Sequence, residues 1–347
     1  MNNKNKSVFK ILGIIILVLA LSGGSFAYYM YKALYGSTYQ VTETTYLYIN
    51  ESKDFEDLCN QLSKIASAKD ISRFRKLANY LDYPQYMKTG KYAVTPGMSQ
   101  MQLVNVLRRG QQTSVKLTFN NIRLKTDLAE RLAEQLMIGQ DEILNLLNDP
   151  SYCQSLGFTT ETINTLFIPN TYEVYWNISA DRLFQRMKKE YDTFWSDSRK
   201  EKATKIGLTP IEVSILASIV EEETAAADEY PIVAGLYINR LKRNIPLQAD
   251  PTVKFAVGDF SLQRILFQHL EVDSPYNTYK YAGLPPGPLR TPSIRGIDAV
   301  LNHMQHNYLY MCAKEDFSGR HNFAVTLAEH NRNADRYRAE LNRRKIR

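Results

Sequence analysis

The sequence predicts an α+β protein with a transmembrane helix near the N-terminus, then a small β-α-α-β module and a larger mixed α+β domain. Three observations support this prediction. They are an uncharged apolar segment, two Tyr- and Val-rich segments that enclose helical periodicities, and a longer alternation of short strands and helices. The 347 residues are enough for two domains and an anchor. The predicted boundaries are 1–32 for the anchor, 40–112 for the module and 113–347 for the large domain.

The anchor is predicted from Ile11–Tyr31, a run without a charged residue. A helix of about 20 apolar residues crosses a hydrocarbon core roughly 30 Å thick. Tyrosines at the far end of the run suit the membrane–water interface: Tyr28, Tyr29 and Tyr31. Lysines precede the run, so the N-terminus is expected in the cytoplasm: Lys4, Lys6 and Lys10.

A cleaved signal peptide is the competing interpretation of this segment, because Ser25–Ala27 resembles a small-residue cleavage site. The apolar run continues into tyrosines beyond that point, which favours a retained single-pass anchor in the cell (inner) membrane. Under either interpretation the residues that follow are extracytoplasmic or periplasmic. That location disfavours ATP- or NAD-dependent chemistry.

The β-α-α-β module is predicted from the alternation of its apolar residues. Its segments are a strand within 39–50, helices at 54–68 and 71–81, and a strand at 90–94. A further helix, Ser99–Arg108, has Ser99 as its N-cap and Gly110 just beyond its end.

The large domain is predicted to alternate strands and helices, with one irregular aromatic-rich stretch. The predicted elements are a strand at 114–119, helices at 126–136 and 140–147, the irregular stretch at 158–187, one helix at 181–202, helices after Thr209 and at 231–243, a strand at 308–310, a turn at 319–323 and a helix from Leu327.

The helix after Thr209 carries three successive glutamates, Glu221–Glu223. Thr209 is a good N-cap, and a proline and a capping-box glutamate follow it. On a wheel with about 100° per residue, Glu223 lies within the apolar face, Glu222 at its edge and Glu221 on the opposite, solvent-facing side.

A carboxylate within an apolar face has a raised pKa and can hold its proton near neutral pH. A general acid that protonates a leaving oxygen needs this property. If the helix instead frays after Val220, all three glutamates are solvated and none is distinguished. Glu223 is therefore the candidate acid, and the wheel alone leaves both interpretations open.

Polar and aromatic residues further along are typical of a carbohydrate site. Gln248 and Asp250 alternate with apolar neighbours, so both side chains are expected to point into one cleft. Tyr276 and Asn277 combine a ring that stacks on sugar faces with an amide that bonds hydroxyl and N-acetyl groups. The rigid run Pro285–Pro288 is expected to shape a groove wall, with an ordinary turn as the alternative.

The sequence lacks the usual motifs of nucleic-acid-binding and metal-binding proteins, which disfavours both classes of function. The net charge of +7 permits an anionic polymer, lipid or nucleic acid as partner, but no zinc-finger spacing or RNA-binding signature supports nucleic acid. Cys59, Cys153 and Cys312 follow no metal-ligand spacing and are expected to be buried. His303 and His306 lack an acidic or cysteine companion, so no metal and no cofactor is predicted.

Several short motifs follow one another between residues 216 and 323. They are LASIVEEET at 216–224, INRL at 238–241, LQADPTV at 247–253, YNTY at 276–279 and GLPPGP at 283–288, with YLY at 308–310 and HNF at 321–323. In this order and spacing they resemble the endolytic murein transglycosylase family, known as MltG or YceG-like.

The resemblance implies a LysM-like module at 40–112 and a YceG-like catalytic domain at 113–347. It also implies that the catalytic residue is the second acid of an E-x-E pair, which is Glu223 here, with Glu221 as the first. The family's activity is cleavage of the MurNAc–GlcNAc bond to leave 1,6-anhydro-MurNAc ends, with one residue acting as acid and then as base. Substrate contacts are expected from Glu221, Gln248, Asp250, Tyr276, Asn277, Thr278, Tyr279, Leu284 and Pro285.

Peptidoglycan glycan strands are therefore the expected partner, and the cell-wall synthesis machinery a further one. Two other functions stay open. One is a muramidase hydrolase in which Asp250 activates water. The other is a non-catalytic envelope scaffold that binds glycan.

Overall fold

The protein is described by a computed structural model that covers residues 3–262 and 264–344, with the backbone alone for residues 3–9. Lys4 and Lys6, whose charges predict the orientation of the anchor, therefore have side chains outside the described part. The chain forms two compact units. The first contains the described residues up to Lys116 together with Glu173–Ile178, and the second contains Leu117–Tyr172 and the described residues from Ser179 onwards. The predicted α+β class is confirmed.

The first unit begins with a long apolar helix, α1 (Asn3–Tyr35). Within its segment Lys10–Tyr35, the most apolar window of 18 residues has a mean hydropathy of 2.2, and none of that window is buried. The predicted N-terminal apolar helix is therefore present, and its length and composition are compatible with a single-pass membrane anchor.

The β-α-α-β order of the first unit is as predicted. Strand β1 (Thr45–Ile49) pairs antiparallel with β2 (Gly90–Val94), in a register that places Thr45 opposite Val94. Between them lie α2 (Phe55–Ser63), α3 (Ala68–Tyr80) and a short 3-10 helix. The core contains Leu47, Phe74 and Tyr92, each fully buried.

Helix α4 (Gln100–Arg109) follows the second strand, and its two ends show why it starts and stops where it does. The Ser99 side chain accepts from the backbone N–H of Gln102, whose side chain accepts from the backbone of Ser99. Gly110 closes the helix at a φ of 69°, a conformation that favours glycine. Both caps were predicted.

The next part of the chain has more helical turns and one more strand than predicted. Its elements are β3 (Ser114–Thr118), α5 (Lys125–Ala133), α6 (Gln140–Asn148), α7 (Pro150–Ser155), β4 (Thr171–Tyr175), α8 (Ala180–Phe194) and α9 (Asp197–Ile206), and β3 pairs with β4.

Two predictions for this region were wrong. Strand β4 lies within the stretch expected to be irregular, and it buries Tyr172 and Val174 alternately with exposed neighbours. The single helix predicted at 181–202 is broken. Trp195 leaves the helix and is buried with its ring 5.5 Å from that of Phe194, and Ser196 takes an extended backbone before α9.

The remaining elements surround the candidate site. They are α10 (Pro210–Glu223), α11 (Tyr230–Lys242), α12 (Asp250–Val257), α13 (Phe267–Leu270), α14 (Ile294–Leu301), β5 (Tyr310–Ala313), β6 (His321–Ala324) and α15 (Leu327–Arg343). Strands β5 and β6 pair antiparallel, with Ala313 opposite His321. The predicted turn at 319–323 is therefore wrong for its last three residues, which belong to β6.

Helix α10 begins as predicted and is then buried on every side. Thr209 forms a full capping box, and Pro210 occupies the first turn. All residues from Val213 to Val220 are buried, because α9, α11, α12 and α14 pack around this helix. The wheel assumed that one face meets solvent, so its exposed position for Glu221 is wrong.

Candidate active site

The three glutamates that end α10 point to three different surroundings. The first, Glu221, accepts hydrogen bonds from the backbone N–H of Ser293, at 3.1 and 3.2 Å, and from the Ser293 hydroxyl. Ser293 is the N-cap of α14, and a Cβ built on Gly296 would lie 2.6 Å from Glu221 Oε1. Glu221 therefore fastens α10 to the start of α14.

The second glutamate, Glu222, is held by two arginines. Both of its carboxylate oxygens lie 2.8 Å from Arg123 Nη2, and Oε1 lies 3.1 Å from Arg290 Nη1. Its side chain is only 17% exposed. Both oxygens of Glu222 are thus engaged by arginines, which indicates a structural role for this residue.

The third glutamate, Glu223, lies at the edge of a cavity of about 360 Å³. Its Oε1 accepts a hydrogen bond of 2.6 Å from the hydroxyl of Tyr237, which is buried. Burial raises the pKa of Glu223 to about 7, the negative charge of Asp250 adds to the rise, and the Tyr237 hydrogen bond and the Arg240 charge oppose it. Glu223 can therefore both give and take a proton near neutral pH.

The cavity walls come from α11, the loop before α12, β5, β6 and α15. The structure brings four of the predicted site residues together around the cavity: Glu223, Gln248, Asp250 and Tyr279. The other lining residues are Leu236, Tyr237, Arg240, Leu247, Tyr310, Met311, Cys312, Ala313, His321, Leu327 and His330.

Asp250 is the first residue of α12, and it lines the same cavity as Gln248, as the alternation with apolar neighbours predicted. Its carboxylate is exposed, and Oδ1 accepts a hydrogen bond of 2.6 Å from the Tyr279 hydroxyl. Tyr279 thereby holds the second carboxylate of the cavity in one orientation. Burial raises the pKa of the Tyr279 phenol far above its ordinary value, and this hydrogen bond to Asp250 adds to the rise.

Arg240 fixes the loop that presents Gln248. Its guanidinium donates to the carbonyls of Leu309 at 2.6 Å, Pro246 at 2.9 Å and Leu247 at 3.1 Å, and to Gln248 Oε1 at 3.1 Å. Gln248 has a φ of 51°, a left-handed conformation that costs energy in a non-glycine residue. Arg240 is buried and stabilises this strained turn.

Two residues predicted as substrate contacts, Asn277 and Thr278, have buried side chains that form hydrogen bonds within the protein. Asn277 donates to the carbonyls of Leu270 at 2.8 Å and Val272 at 2.9 Å. The Thr278 hydroxyl accepts from Ala249 N and lies 2.7 Å from the Thr252 hydroxyl. Both residues support the loop that carries Tyr279.

Three further predicted contacts lie outside the lining of this cavity. The ring of Tyr276 packs on Phe255 at 4.7 Å, and Leu284 and Pro285 belong to the segment that precedes Gly287. A Cβ on Gly287 would lie 2.2 Å from the carbonyl oxygen of Glu161, so this segment packs tightly against the protein. Substrate contacts at these three residues stay predictions.

Sequence reasoning missed several residues of the cavity. Tyr237 and Arg240 stand three positions apart on α11, which places them on one face of the helix. The signal in the sequence was an arginine within a largely apolar helical segment. Cys312 was expected to be buried, but it is only half-buried and lines the cavity, whereas Cys59 and Cys153 are buried.

His321 was also missed, although it belongs to one of the short motifs. Its Nδ1 lies 2.9 Å from Glu229 Oε2, and its backbone N–H donates to Glu229 Oε1 at 3.0 Å. Glu229 is buried and also accepts from the Thr224 hydroxyl at 3.0 Å. Since Thr224 directly follows Glu223, this network ties His321 to the end of α10.

The cavity contains no evident metal site. Within residues 3–262 and 264–344, no group of three or more His, Cys, Asp or Glu residues could hold a metal ion. His303 and His306 are engaged locally, with ring nitrogens on the carbonyls of Val300 and Ile232.

Comparison with known proteins identifies the family to which this chain belongs. The model of the YceG-like family matches residues 47–336. The chain belongs to the YceG-like family. The resemblance found in the short motifs is thereby confirmed, and the match includes all the residues around the cavity.

Two curated relatives and one solved structure are similar to this chain over most of its length. The endolytic murein transglycosylase of Bacillus subtilis (strain 168) is 28% identical in an alignment of 342 positions that covers 92% of each chain. That of Streptococcus pneumoniae serotype 2 (strain D39) is 26% identical, and the match covers 96% of this chain but 66% of the relative. A crystal structure of a YceG-like protein from Listeria monocytogenes aligns with a TM-score of 0.53 at 27% identity, covering 84% of this chain and 99% of the other.

Proposed function

We propose that this YceG-like protein is an endolytic murein transglycosylase, a lyase that cuts peptidoglycan glycan strands between MurNAc and GlcNAc. The observation that carries the proposal is Glu223, a carboxyl with a pKa near 7 at the edge of a cavity large enough for sugar units. The relatives named endolytic murein transglycosylase support it.

Glu223 acts as acid and then as base in the proposed reaction. Its proton passes to the glycosidic oxygen, the bond from that oxygen to C1 of MurNAc breaks, and GlcNAc leaves with the proton. The Glu223 carboxylate then takes the proton of the MurNAc 6-hydroxyl, whose oxygen bonds to C1. The product is a 1,6-anhydro end, Glu223 is protonated again, and no water is consumed.

Tyr237 and Asp250 set the proton affinity of Glu223 from opposite directions. The Tyr237 hydroxyl stabilises the carboxylate that forms after the first proton transfer. Asp250 favours the protonated form of Glu223 before that step, and its charge can stabilise the positive charge that develops on the sugar. Gln248 and Tyr279 are placed to contact the sugars, since both line the cavity.

The proposed organisation has three parts: an anchor at 1–32, a LysM-like module at 40–112 and a catalytic domain at 113–347. The apolar helix α1 and the paired strands β1 and β2 around two helices support this assignment. We place the N-terminus in the cytoplasm and the residues after the anchor outside the cell (inner) membrane. There the protein would meet glycan strands and the cell-wall synthesis machinery.

The proposal is tested on purified sacculi with wild type, Glu223→Gln and Glu201→Gln. Glu201 is an exposed glutamate on α9 and serves as the matched control. Mass spectrometry should find anhydro ends with wild type and Glu201→Gln and none with Glu223→Gln. Reducing ends in place of anhydro ends would establish a muramidase hydrolase. Glycan binding without any product from wild type would establish the scaffold.

A further inference from the structure

A second cavity, of about 770 Å³, lies in the first unit between the C-terminal end of α1 and helix α3. One wall is apolar and comes from α1, where it includes Ala33 and Leu34. The opposite wall comes from α3 and carries positive charge. The active site does not use this cavity, and its lining belongs entirely to the first unit.

The charged wall is a stripe of three cations on one face of α3. Lys69, Arg73 and Lys76 follow the spacing i, i+4, i+7, and all three line the cavity. Arg73 is engaged, since it pairs with Asp70 at 3.2 Å and donates to the Tyr29 hydroxyl at 2.7 Å. Lys69 and Lys76 are exposed, and within the described residues neither pairs with a carboxylate.

The position of this cavity along α1 indicates which part of a membrane the cavity would face. Tyr29, Ala33 and Leu34 lie in the last part of the apolar segment Lys10–Tyr35, at the end far from the N-terminus. When that segment crosses a membrane, these residues reach the boundary between acyl chains and headgroups. The cavity would then have acyl chains beside its apolar wall and headgroups beside its cations.

We propose that this cavity binds an anionic phospholipid of the leaflet next to the first unit. Lys69 and Lys76 hold the phosphate, and an acyl chain runs along Ala33 and Leu34. Lysine ammonium groups near an anionic lipid surface favour such binding by charge, and the apolar wall favours a lipid over a soluble phosphate. The site rests on the proposed membrane anchor and not on the proposed reaction.

The charge contribution is tested with the full-length protein in detergent, titrated with dioleoyl-phosphatidylglycerol and followed by native mass spectrometry. Lys69→Gln/Lys76→Gln should weaken lipid binding about tenfold, since each cation near a lipid surface contributes several-fold. Lys53→Gln/Lys64→Gln removes two exposed lysines of the same unit that do not line the cavity, and should bind like wild type. Equal losses in both double variants, or none in either, would overturn the site.

The apolar wall is tested by filling it while keeping every charge. Ala33→Phe should lower phosphatidylglycerol binding, and Ala20→Phe, on α1 but outside the cavity, should leave it unchanged. Dioleoyl-phosphatidylcholine should bind more weakly than phosphatidylglycerol, and competition by inorganic phosphate would reassign the site to a soluble anion. Flotation of wild type with phosphatidylcholine vesicles tests the anchor separately, so a failed anchor and a failed lipid site give different results.

Discussion

The Tyr237 hydroxyl lies 2.6 Å from Glu223 Oε1, so a buried phenol donates to the one carboxylate of the glutamate triplet that opens on the cavity. The pair couples a half-buried carboxyl to a buried phenol. Burial raises the pKa of the Tyr237 phenol well above its ordinary value, and the neighbouring Glu223 charge adds to the rise. Tyr237 therefore remains a donor across the range in which Glu223 titrates.

Removing this donor should make Glu223 a weaker acid. Tyr237→Phe deletes a hydrogen bond that lowers the pKa of Glu223, so that pKa should rise above about 7. The alkaline limb of kcat/KM for glycan cleavage should move to higher pH, by up to about one unit. Tyr310→Phe is the matched control, since Tyr310 also lines the cavity and its ring lies 5.5 Å from that of His330, while the hydrogen bond to Glu223 comes from Tyr237. An unmoved limb in Tyr237→Phe would contradict the coupling.

Asp250→Asn should shift the same limb in the opposite direction. The negative charge of Asp250 raises the pKa of Glu223, so the neutral amide should lower that pKa and move the limb to lower pH. Asparagine can still accept from Tyr279. Asp273→Asn is the control. Asp273 accepts a hydrogen bond of 2.7 Å from the Tyr281 hydroxyl in a similar exposed pair, and neither residue lines the cavity. A shift to higher pH in Asp250→Asn would refute this electrostatic assignment.

The raised pKa of Glu223 also predicts how stability depends on pH. Folded protein binds this proton more tightly than the unfolded chain, so the contribution is complete below pH 4.5 and is lost as the pH rises to about 7. A pKa that rises from 4.5 to about 7 corresponds to at most about 3 kcal/mol. Glu223→Gln cannot titrate, so it should be more stable than wild type at pH 8 and similar at pH 4. Thermal unfolding of the full chain in detergent at both pH values measures the difference. Parallel pH dependences would contradict it.

Local chemistry explains the parts of the fold that could be predicted. Ser99, Gly110 and Thr209 set helix ends through contacts within a few residues, and the sequence shows all of them. The surroundings of α10 depend on helices far along the chain. A wheel assumes one solvent-facing side, and here α14 covers the side that carries Glu221, so its contact with Ser293 could not be foreseen.

In the candidate site, too, features set by nearby residues could be predicted and features set by distant helices could not. The apolar pattern and the motifs single out Glu223, but its partner Tyr237 becomes visible only when α10 and α11 pack. Asn277 illustrates an ambiguity that the sequence leaves open. An amide near tyrosines is typical of sugar binding, yet the same group can satisfy backbone carbonyls in a buried loop, and the sequence does not distinguish the two.

Glu222 should matter for stability and not for the chemical step. Glu222→Gln leaves Arg123 and Arg290 without their shared carboxylate in a partly buried place, which should cost about 1–3 kcal/mol of unfolding free energy. Turnover should stay near wild type at temperatures where the variant is folded. Thermal unfolding and anhydro-end release measure the two properties, with Glu201→Gln as control. A loss of turnover as complete as that of Glu223→Gln would reassign the catalytic residue within the triplet.

His321 should position the sugar through the ring nitrogen that Glu229 leaves available. The Glu229 carboxylate accepts, so Nδ1 donates to it, and Nε2 is the ring nitrogen that remains for a sugar hydroxyl in the cavity that His321 lines. His321→Gln should raise KM for glycan strands about tenfold, the size of one hydrogen bond, with a smaller change in kcat. Glu229→Gln should act similarly, because it releases the ring. His303→Gln alters a histidine outside the cavity lining and should leave both constants unchanged. If kcat alone falls in His321→Gln, the imidazole takes part in the proton transfers and is not a positioning group.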